Sequence, residues 1–463
     1  MTLVATSVGL LTYFLYKKMK YRSPPGPWSI PLIGHWKCPT PVVVLNNLEV
    51  VIEALVKKSA DFSSRPRFFT GELFSQNGKG IVFGPYSATW KFHKKVAGKA
   101  LKYYMHGEKL ENMINDVCER IFERMSKEQD PFSVTDYIDK LVIHMLFNMC
   151  FARKCDLDDP DVERLLKIDT EVVETFGNGL LEDLVPAMTY VYKTQRCKRV
   201  ESLLFEALSF LKKELNQHEE TFDPNNIRDY TDSLLFAREE AEDKPEEASK
   251  LTEVYLVQIL NDIFFAGLDT TKMTLDWFIC FMIANPDFQE KCFEEIQKAI
   301  GKKRHPKATD RPNLCFTEAC IMETMRMGSV VGIGVPHATI CDTNVGGYDV
   351  QKDTMVFINH WALHNDSSYW KDVEKFDPYR YLTKEGKMDM KPENWMPFSA
   401  GRRVCLGEPV ARTELLLIAS NLLQNFRFKA PPGVTHVPGM RCPTQGTELP
   451  AFYKVVVERR TQS

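Results

Sequence analysis

The spacing of apolar residues along the chain predicts a mainly helical protein. In several segments they recur every three or four residues, which places them on one face of a helix. These segments are 89–104, 108–128, 134–152, 161–177 and 198–216. The longest apolar run spans 252–284 and ends at Asn285 and Pro286, where proline stops a helix. Because its apolar side chains occupy most sides, we expect this helix to cross the interior.

Shorter patterns indicate a minor β component. Residues 41–45 form a β-branched run that predicts a strand, and Asn47 then caps a predicted helix over 48–58. Further strand signals lie at 339–358 and 452–457. Together these patterns predict one large, mainly α-helical domain with small β-sheets to one side.

Polar residues mark two predicted surfaces. In the helix over 89–104, one face carries four lysines, which are Lys91, Lys95, Lys99 and Lys102. A different face of the same helix carries Trp90, Lys94, Ala97 and Leu101. The stretch 219–250 is rich in acids and poor in large apolar side chains, so we expect an exposed helix and loop there.

The N-terminal residues differ from the rest of the chain. Residues 2–16 carry no charge and are mostly apolar, and a basic flank follows them. We interpret 1–22 as a signal-anchor helix, short for a bilayer core of about 30 Å, whose following charges keep the remainder in the cytosol. A cleaved signal peptide is the alternative, although its charges would precede the apolar run. A proline-rich hinge over 23–34 and a globular domain over 35–463 complete the predicted organisation.

Charge and cysteine content narrow the possible functions. The 463 residues include 59 basic and 62 acidic side chains, for a net charge of −3, so we expect no nucleic-acid partner. The 12 cysteines form no C-x-x-C pair, which favours free thiols in a reducing compartment.

A second membrane span over 252–284 is an alternative to a buried helix. Four charged residues within it argue against that alternative, namely Asp262, Asp269, Lys272 and Asp276.

One cysteine is distinguished by its neighbours. Cys405 follows Arg402 and Arg403, lies between Gly401 and Gly407, and precedes a helix-like run. An isolated cysteine is most often an inert core residue. A thiolate in such a loop can instead be the axial ligand of a haem iron, because the glycines admit a flat macrocycle. We expect the amide groups at the start of the next helix to favour the anionic form of the sulfur.

Two further segments place charged or hydroxyl groups on predicted helices. Asp269 and Thr270 lie within Ala-Gly-Leu-Asp-Thr-Thr at 266–271, inside the long helix. The ordinary explanation is a solvated acid beside a threonine that bonds to the carbonyl one turn earlier. Glu323 and Arg326 lie three residues apart, and the ordinary explanation is a surface ion pair of little energetic value.

Taken together, these segments resemble the cytochrome P-450 family. Residues 398–407 are similar to its haem-binding signature, Phe-x-x-Gly-x-x-x-Cys-x-Gly, and 266–271 are similar to its oxygen-activation motif. The segments 176–183 and 335–339 resemble the microsomal branch that contains steroid 17α-hydroxylases and aryl-hydrocarbon hydroxylases. The resemblance implies the cytochrome P-450 fold, mainly α with small β-sheets, in a single large haem domain with an N-terminal membrane anchor.

The resemblance also implies roles for individual residues. Cys405 would ligate the iron, Thr270 would distort the long helix to make room for dioxygen, and Asp269 with Thr270 would relay protons. A buried group that supports the haem loop would consist of Glu323, Arg326 and Arg380. The haem propionates would be held by Arg65, Trp90, Lys94, His337 and Arg403, with lysine at position 94 where the family usually has arginine. Candidate pocket residues, equally explicable as core, are Phe68, Phe69, Phe74, Phe264, Phe265, Ala266, Val331 and Ile333.

The activity implied is that of a haem-thiolate monooxygenase with haem b as its cofactor. It would insert one oxygen atom from dioxygen into a lipophilic substrate, either steroid-like or xenobiotic. Electrons would come from NADPH through a separate flavoprotein reductase docked on the lysine face, since no Gly-x-Gly-x-x-Gly loop follows a predicted strand. The implied location is the endoplasmic reticulum membrane, with the catalytic domain facing the cytosol. Two alternatives are a non-catalytic haem protein that binds lipophilic ligands and a haem-dependent isomerase or lyase; the Asp269–Thr270 pair argues against both.

The chain departs from the family near its start. In the microsomal branch, a helix and a first strand separate the segment similar to 31–34 from the segment similar to 41–47. Here only residues 35–40 lie between the two segments. We therefore expect the strand over 41–45 to lack a partner and to leave an exposed sheet edge.

Overall fold

The computed structural model describes residues 24, 41–105, 108–301, 304–434 and 453–460. The predicted anchor over 1–22, the junction over 35–40 and all of the hinge over 23–34 except Pro24 lie outside these residues. None of the helices in the described ranges is long and apolar enough to cross a membrane.

Helices dominate the described residues. Those that precede the longest helix are α1 Leu48–Ile52, α2 Phe69–Phe74, α3 Ala88–Met105, α4 Lys109–Met125, α5 Thr135–Phe151, α6 Pro160–Asn178, α7 Leu181–Leu184, α8 Gln195–Thr221, α9 Tyr230–Glu239 and α10 Pro245–Ala248. The longest helix and those after it are α11 Glu253–Ala284, α12 Pro286–Ile300, α13 Cys315–Gly328, α14 His360–His364 and α15 Glu408–Asn425. Shorter helical turns lie at Glu53–Lys57, Pro186–Tyr190, Ala308–Asn313, Pro378–Tyr381 and Gly401–Arg403.

The helix boundaries follow local chemistry that the sequence displays. The side chain of Asn47 accepts a hydrogen bond from the Val50 amide at 3.1 Å and so caps α1 as predicted. Thr252 and Asn285 flank α11, and Pro286 opens the next helix at a position where its missing amide costs nothing. The predicted helix over 252–284 is therefore confirmed.

Helix α11 forms the centre of the fold. It packs against α5, α8, α13 and α15. Its buried residues lie on several sides and include Leu260, Phe264, Leu268 and Phe278. This distribution confirms that an apolar run without a single dominant face belongs to an interior helix.

Three small sheets accompany the helices. The largest has the order β1 Val42–Leu45, β5 Met355–Ile358, β2 His337–Ala338, with β1 parallel and β2 antiparallel to β5. The second pairs β3 Thr343–Val345 with β4 Tyr348–Val350, and the third pairs β6 Phe426–Lys429 with β7 Val456–Arg459. Among the described residues, β1 pairs with β5 alone, and Val42 and Val44 are exposed. The expected open edge is thus present at β1.

The expectation of an exposed acidic region over 219–250 is wrong for its middle part. Helix α9 buries Tyr230, Leu234 and Leu235. The hydroxyl of Thr231 also donates to the Cys150 carbonyl at 2.6 Å, in the interior. Two acids of this segment, Asp229 and Asp232, are themselves buried, and Asp229 accepts the Asp232 amide at 2.9 Å and caps the helix.

The described cysteines are free thiols, as the sequence predicts. Eight of the ten are buried, while Cys341 and Cys405 have accessible surface. Only Cys405 of these two lines a cavity. That difference separates the candidate ligand from the other cysteines of the described chain.

Candidate active site

A cavity of about 320 Å³ lies beside α11, and nine of the predicted site residues line it. Its walls come from α3, α5, α11, the segment after α13, and the cysteine loop that leads into α15. The predicted site residues that line it are Arg65, Trp90, Lys94, Ala266, Thr270, Val331, His337, Arg403 and Cys405. The structure therefore brings together side chains that are separated by up to 340 residues in the sequence.

The loop that carries Cys405 is fixed by its backbone. The Cys405 amide donates to the Phe398 carbonyl at 3.0 Å, which closes the loop. Gly401 has φ +71°, and a Cβ atom there would lie 1.9 Å from the Leu55 carbonyl oxygen. Only glycine fits this position, because both its conformation and its contact exclude a side chain.

The amides at the start of α15 favour the anionic form of Cys405 as expected, but burial has the larger effect on its pKa. Burial raises the pKa of the Cys405 thiol, although the amides of Gly407 and Glu408 and the charge of Lys94 act in the opposite direction. The two amides therefore lower the pKa but do not outweigh desolvation. A bound metal cation supplies the positive charge that deprotonates a coordinating thiol.

Two arginines bring buried positive charge to the cavity. Arg65 donates to the carbonyls of Val82, Val335 and Pro336 at 2.8–3.0 Å. Arg403 donates to three further carbonyls at 2.6–3.1 Å and lies 3.9 Å over the Trp90 ring. Burial lowers the pKa of Arg65 to about 9 and that of Arg403 to about 8. Neither forms an ion pair with a carboxylate in the described part of the chain, so a bound dianion would compensate both charges.

His337 and Trp90 complete this side of the cavity. His337 lines the cavity, and its Nδ1 atom lies 2.8 Å from the Phe62 carbonyl oxygen. Its other ring nitrogen, Nε2, is therefore the polar atom that can bind a ligand in the cavity. Burial, with the nearby charge of Arg65, holds the pKa of His337 well below its usual value. The Trp90 indole donates to the Ile81 carbonyl at 2.9 Å.

Lys94 contacts the cysteine loop, and its propionate role stays a prediction. Its ammonium group donates to the carbonyls of Arg402 and Val404 at 2.8 and 2.9 Å. Burial lowers its pKa to about 8, while the nearby sulfur of Cys405 opposes the shift. Lys94 therefore ties α3 to the cysteine loop, a contact that no local sequence pattern shows.

These residues fit haem b. Cys405 offers the sulfur, and Gly401 and Gly407 keep the loop free of side chains. Arg65, Arg403 and His337 offer donors and positive charge for two carboxylates, which the chain itself does not provide. The donor set thus matches a dianionic, iron-containing macrocycle.

The wall opposite the cysteine loop comes from α11. Ala266, Gly267, Thr270 and Thr271 line the cavity. The Thr270 hydroxyl donates to the Ala266 carbonyl at 2.9 Å, which is the ordinary back-bonded arrangement. The helix continues without interruption through this segment, so the expected distortion at Thr270 is not observed.

Asp269 lies on a different face of α11 from Thr270. It is buried and does not line the cavity. The Lys272 ammonium lies 3.0 Å from Asp269 Oδ1 and 2.6 Å from Asp169 Oδ2 of α6. Neither partner was singled out as a site residue from the sequence, because nothing local connects α6 with α11.

The predicted Glu323–Arg326–Arg380 group is buried as expected. Arg326 donates two hydrogen bonds to Glu323, both at 2.8 Å, and Arg380 adds a third at 3.2 Å. The Tyr381 hydroxyl donates to the same carboxylate at 3.0 Å. Glu323 and Arg326 are completely inaccessible to solvent, so a surface ion pair is excluded.

This group connects to the cysteine loop through one histidine. Arg326 donates to the His364 carbonyl at 2.8 Å. The His364 ring accepts the Met396 amide at 3.1 Å, directly before the loop begins. Glu323 therefore supports the loop through defined contacts without touching the cavity.

The predicted pocket residues divide into two groups. Ala266 and Val331 line the cavity, whereas the six other candidates do not. Phe68 and Phe74 instead contact Phe83, and Phe265 contacts Phe264 with ring centroids 5.3 Å apart. Apolar lining residues that sequence reasoning missed are Leu101, Leu146, Met149, Ile263, Met325 and Val330.

Comparison with known proteins identifies the family. A model of the cytochrome P450 family matches residues 29–449. A steroid 17-alpha-hydroxylase/17,20 lyase of Ictalurus punctatus is 34% identical over 428 residues, covering 91% of this chain and 82% of that protein. Cytochrome P450 1A1 of Rattus norvegicus is 32% identical over 453 residues, covering 89% and 86%.

A solved structure agrees with this assignment. A zebra fish cytochrome P450 with progesterone superposes with a TM-score of 0.81 at 28% identity, covering 89% of this chain and 93% of that one. Helical content, small sheets and overall topology thus match those of a haem protein of the same family. The chain belongs to the cytochrome P450 family and is a haem-dependent monooxygenase that works with a redox partner on a lipophilic substrate.

Proposed function

We propose that this monooxygenase oxidises a rigid lipophilic substrate of the steroid class, with electrons from NADPH through a flavoprotein reductase. The observation that carries this proposal is one cavity in which the Cys405 sulfur and the Thr270 wall are joined by apolar side chains. A relative acts on steroids by its name, and a structural neighbour holds progesterone. An aromatic hydrocarbon substrate is the second candidate, supported by the likeness to cytochrome P450 1A1.

When bound, haem supplies the iron at which dioxygen is reduced and split. The protein positions the reactants. Leu146, Met149 and Val331 exclude water from the cavity, and Ala266 with Gly267 gives α11 a flat wall against which a ring system can lie. A Cβ atom at Gly267 would lie 3.3 Å from Leu146, so even a methyl group would narrow the site.

The chain's own proton carriers are Thr270 and Asp269. The Thr270 hydroxyl lies at the cavity wall and can exchange its hydrogen bond to Ala266 for one to a water molecule in the cavity. Asp269 precedes it on α11, with the Lys272 ammonium 3.0 Å from its Oδ1 atom. Thr270 therefore presents the proton to the cavity, and Asp269 restores it.

Turnover of progesterone tests the proposal. With a microsomal reductase, NADPH and isotopically labelled dioxygen, we expect one labelled oxygen atom in the steroid product. Thr270→Ala should keep NADPH consumption but lower product formed per NADPH by about 10²-fold, because the proton donor at the wall is lost. The missing electrons should appear as hydrogen peroxide.

The matched control is Thr324→Ala. Thr324 makes the same hydroxyl-to-carbonyl bond, to Cys320 at 2.9 Å, but lies on α13 away from the cavity. Its coupling, which is the product formed per NADPH consumed, should equal that of the unmodified protein. Equal coupling in Thr270→Ala would remove the proposed role of Thr270, and absence of labelled product from every steroid would remove the steroid assignment.

In this proposal, electrons enter the protein on the side where the Cys405 loop lies. Lys94 joins α3 to the cysteine loop, and the exposed Lys91 and Lys95 flank it on the outer face of the same helix. An acidic reductase surface is attracted to these charges. The predicted lysine face of α3 is exposed as expected, with Lys99 paired to Glu240 at 2.9 Å.

Charge reversal of Lys91 and Lys95 to glutamate should slow electron transfer from the reductase about tenfold at low ionic strength. High salt should reduce the difference, because it screens surface charge. The control is Lys213→Glu, an exposed lysine on α8. Rates that are equal for both variants at every salt concentration would place the docking surface elsewhere.

Membrane contact is the last element of the proposal. Six large apolar side chains are exposed within one short stretch, and they are Leu181, Leu184, Val185, Tyr190, Val191 and Tyr192. Such a cluster favours contact with a lipid surface. It supports a location at the endoplasmic reticulum membrane, with lipophilic substrate entering from the bilayer.

A further inference from the structure

A buried ionic cluster lies behind the cavity wall. Lys272 follows Thr270 by two residues on α11, and its ammonium group lies between Asp269 and Asp169. The exposed fractions are 1% for Asp169, 6% for Lys272 and 9% for Asp269. The Asp169 and Asp269 carboxyl groups also lie within hydrogen-bonding reach of each other. One ammonium group thus holds two carboxyl groups from different helices together.

The cluster has more acids than its one base can neutralise. Asp139 of α5 and Asp276 of α11 lie near enough to Lys272 for their charges to interact with it. Asp136 adds a further negative charge beside Asp139. No second basic residue forms an ion pair with Asp139, Asp169, Asp269 or Asp276 among the residues that the structure describes. A cluster of this composition retains protons at neutral pH, because several ionised carboxylates cannot share one buried cation.

The individual acids agree with this charge balance. Burial raises the pKa of Asp139 to about 6 and that of Asp276 to about 8. Burial, with the neighbouring charge of Asp269, holds the pKa of Asp169 well above its usual range. This shift favours the protonated form of Asp169 beside Asp269.

The cluster has one partly accessible member and one member beside the cavity-lining Thr270. Asp139 is half-buried on α5. Asp269 adjoins Thr270, which lines the cavity. Asp169 contacts Lys272 and lies in reach of Asp269.

We propose that Asp169 is a positioning residue of the monooxygenase, which supplies protons to Asp269 from the interior side of α11. The Asp169 carboxylic acid gives its proton to the Asp269 carboxylate after Asp269 has passed one to Thr270. Asp169, then a carboxylate held by Lys272, takes a new proton from solvent. The inference rests on the proposed roles of Asp269 and Thr270. A purely structural ion pair between α6 and α11 is the competing explanation.

Asp169→Asn tests the inference, because asparagine keeps the shape and hydrogen-bonding capacity but does not titrate. With progesterone as the probe substrate, we expect product formed per NADPH to fall about tenfold, less than for loss of the proton donor itself. In the unmodified protein, coupling should decline as pH rises through the pKa of Asp169, and this decline should be absent in the variant. The control is Glu171→Gln on the same helix, where Glu171 forms a half-exposed pair with Arg199.

Two further variants separate proton supply from structure. Asp169→Glu retains a titrating carboxyl group and should restore coupling. Lys272→Gln removes the positive charge that lowers the pKa of Asp169, so the decline in coupling should move to higher pH. In the resting protein, difference infrared spectra should show a protonated-carboxyl band that Asp169→Asn removes. This readout requires no turnover and applies to any variant that folds.

The outcomes distinguish this inference from the function on which it rests. If Thr270→Ala lowers the product formed per NADPH and Asp169→Asn does not, Asp169 is structural, and this inference fails while the proposed function stands. If neither variant lowers the product formed per NADPH, the proposed proton route through α11 fails. An unchanged infrared band in Asp169→Asn, or a decline that Lys272→Gln moves to lower pH, would also overturn the inference.

Discussion

Replacement of Cys405 by serine should abolish monooxygenation and the red-shifted absorption band of the reduced, carbon-monoxide-bound protein. Serine preserves the size of the side chain and its amide contacts but removes the only cysteine sulfur that lines the cavity in the described chain. The hydroxyl group has a far higher pKa than a thiol and is a poor ligand for iron. We expect no measurable product with progesterone, while haem is still retained through Arg65 and Arg403.

The matched control is Cys341→Ser, since Cys341 is the other accessible cysteine of the described residues and lies away from the cavity. Its spectrum and turnover should match those of the unmodified protein. If Cys405→Ser retained the red-shifted band, another sulfur would be the ligand. If Cys341→Ser lost it, the assignment would move to that residue.

Replacement of Glu323 by glutamine should destabilise the fold by about 3–5 kcal/mol. The glutamine keeps the shape of the side chain, but it leaves Arg326 and Arg380 without the carboxylate that neutralises them. Because Arg326 also orders His364 and, through it, the Met396 amide, haem loading should fall as well. Urea unfolding measures the stability, and the ratio of haem to protein measures the loading.

Glu123→Gln is the comparison for this change. Glu123 pairs with Lys127 at 2.9 Å on the surface of α4, with most of both side chains exposed. Exposed pairs of this kind contribute about 0–1 kcal/mol, so the variant should unfold at nearly the same urea concentration. Equal effects of the two substitutions would contradict the buried support that we assign to Glu323.

Much of the fold was predictable because it depends on neighbours in the sequence. The apolar spacing of 252–284 predicted α11, and the pattern around Trp90 and Lys91 predicted which side of α3 faces solvent. The Glu323–Arg326 pair is three residues apart on one helix, so only its burial required the family resemblance. Such features depend on which residues share a face of a helix, and the spacing of residues in the sequence shows this directly.

The parts that could not be predicted depend on contacts between distant segments. Lys94 bonds to the cysteine loop over 300 residues away, and Asp169 meets Asp269 through Lys272. The direction of the Cys405 pKa depends on how deeply the loop is buried, which amide positions alone do not reveal. The burial of α9 within an acidic stretch also depends on contacts with distant segments. Its apolar side chains Tyr230, Leu234 and Leu235 lie in the interior although acidic residues surround them in the sequence.

The departure that the sequence predicts near the start of the domain stays a prediction, because residues 35–40 lie outside the described residues. Among the described residues, strand β1 has β5 as its partner and presents Val42 and Val44 on an open edge. All the residues that line the cavity come after this strand, so the lining does not include residues 35–40.

The absorption spectrum of the reduced protein under carbon monoxide tests the central claim most directly, since it reports the ligand opposite the bound gas. Our account predicts a strongly red-shifted Soret band, which is the signature of thiolate ligation by Cys405. A Soret band without this shift, in protein that contains haem and is folded, would show that Cys405 does not ligate the iron and would contradict the account.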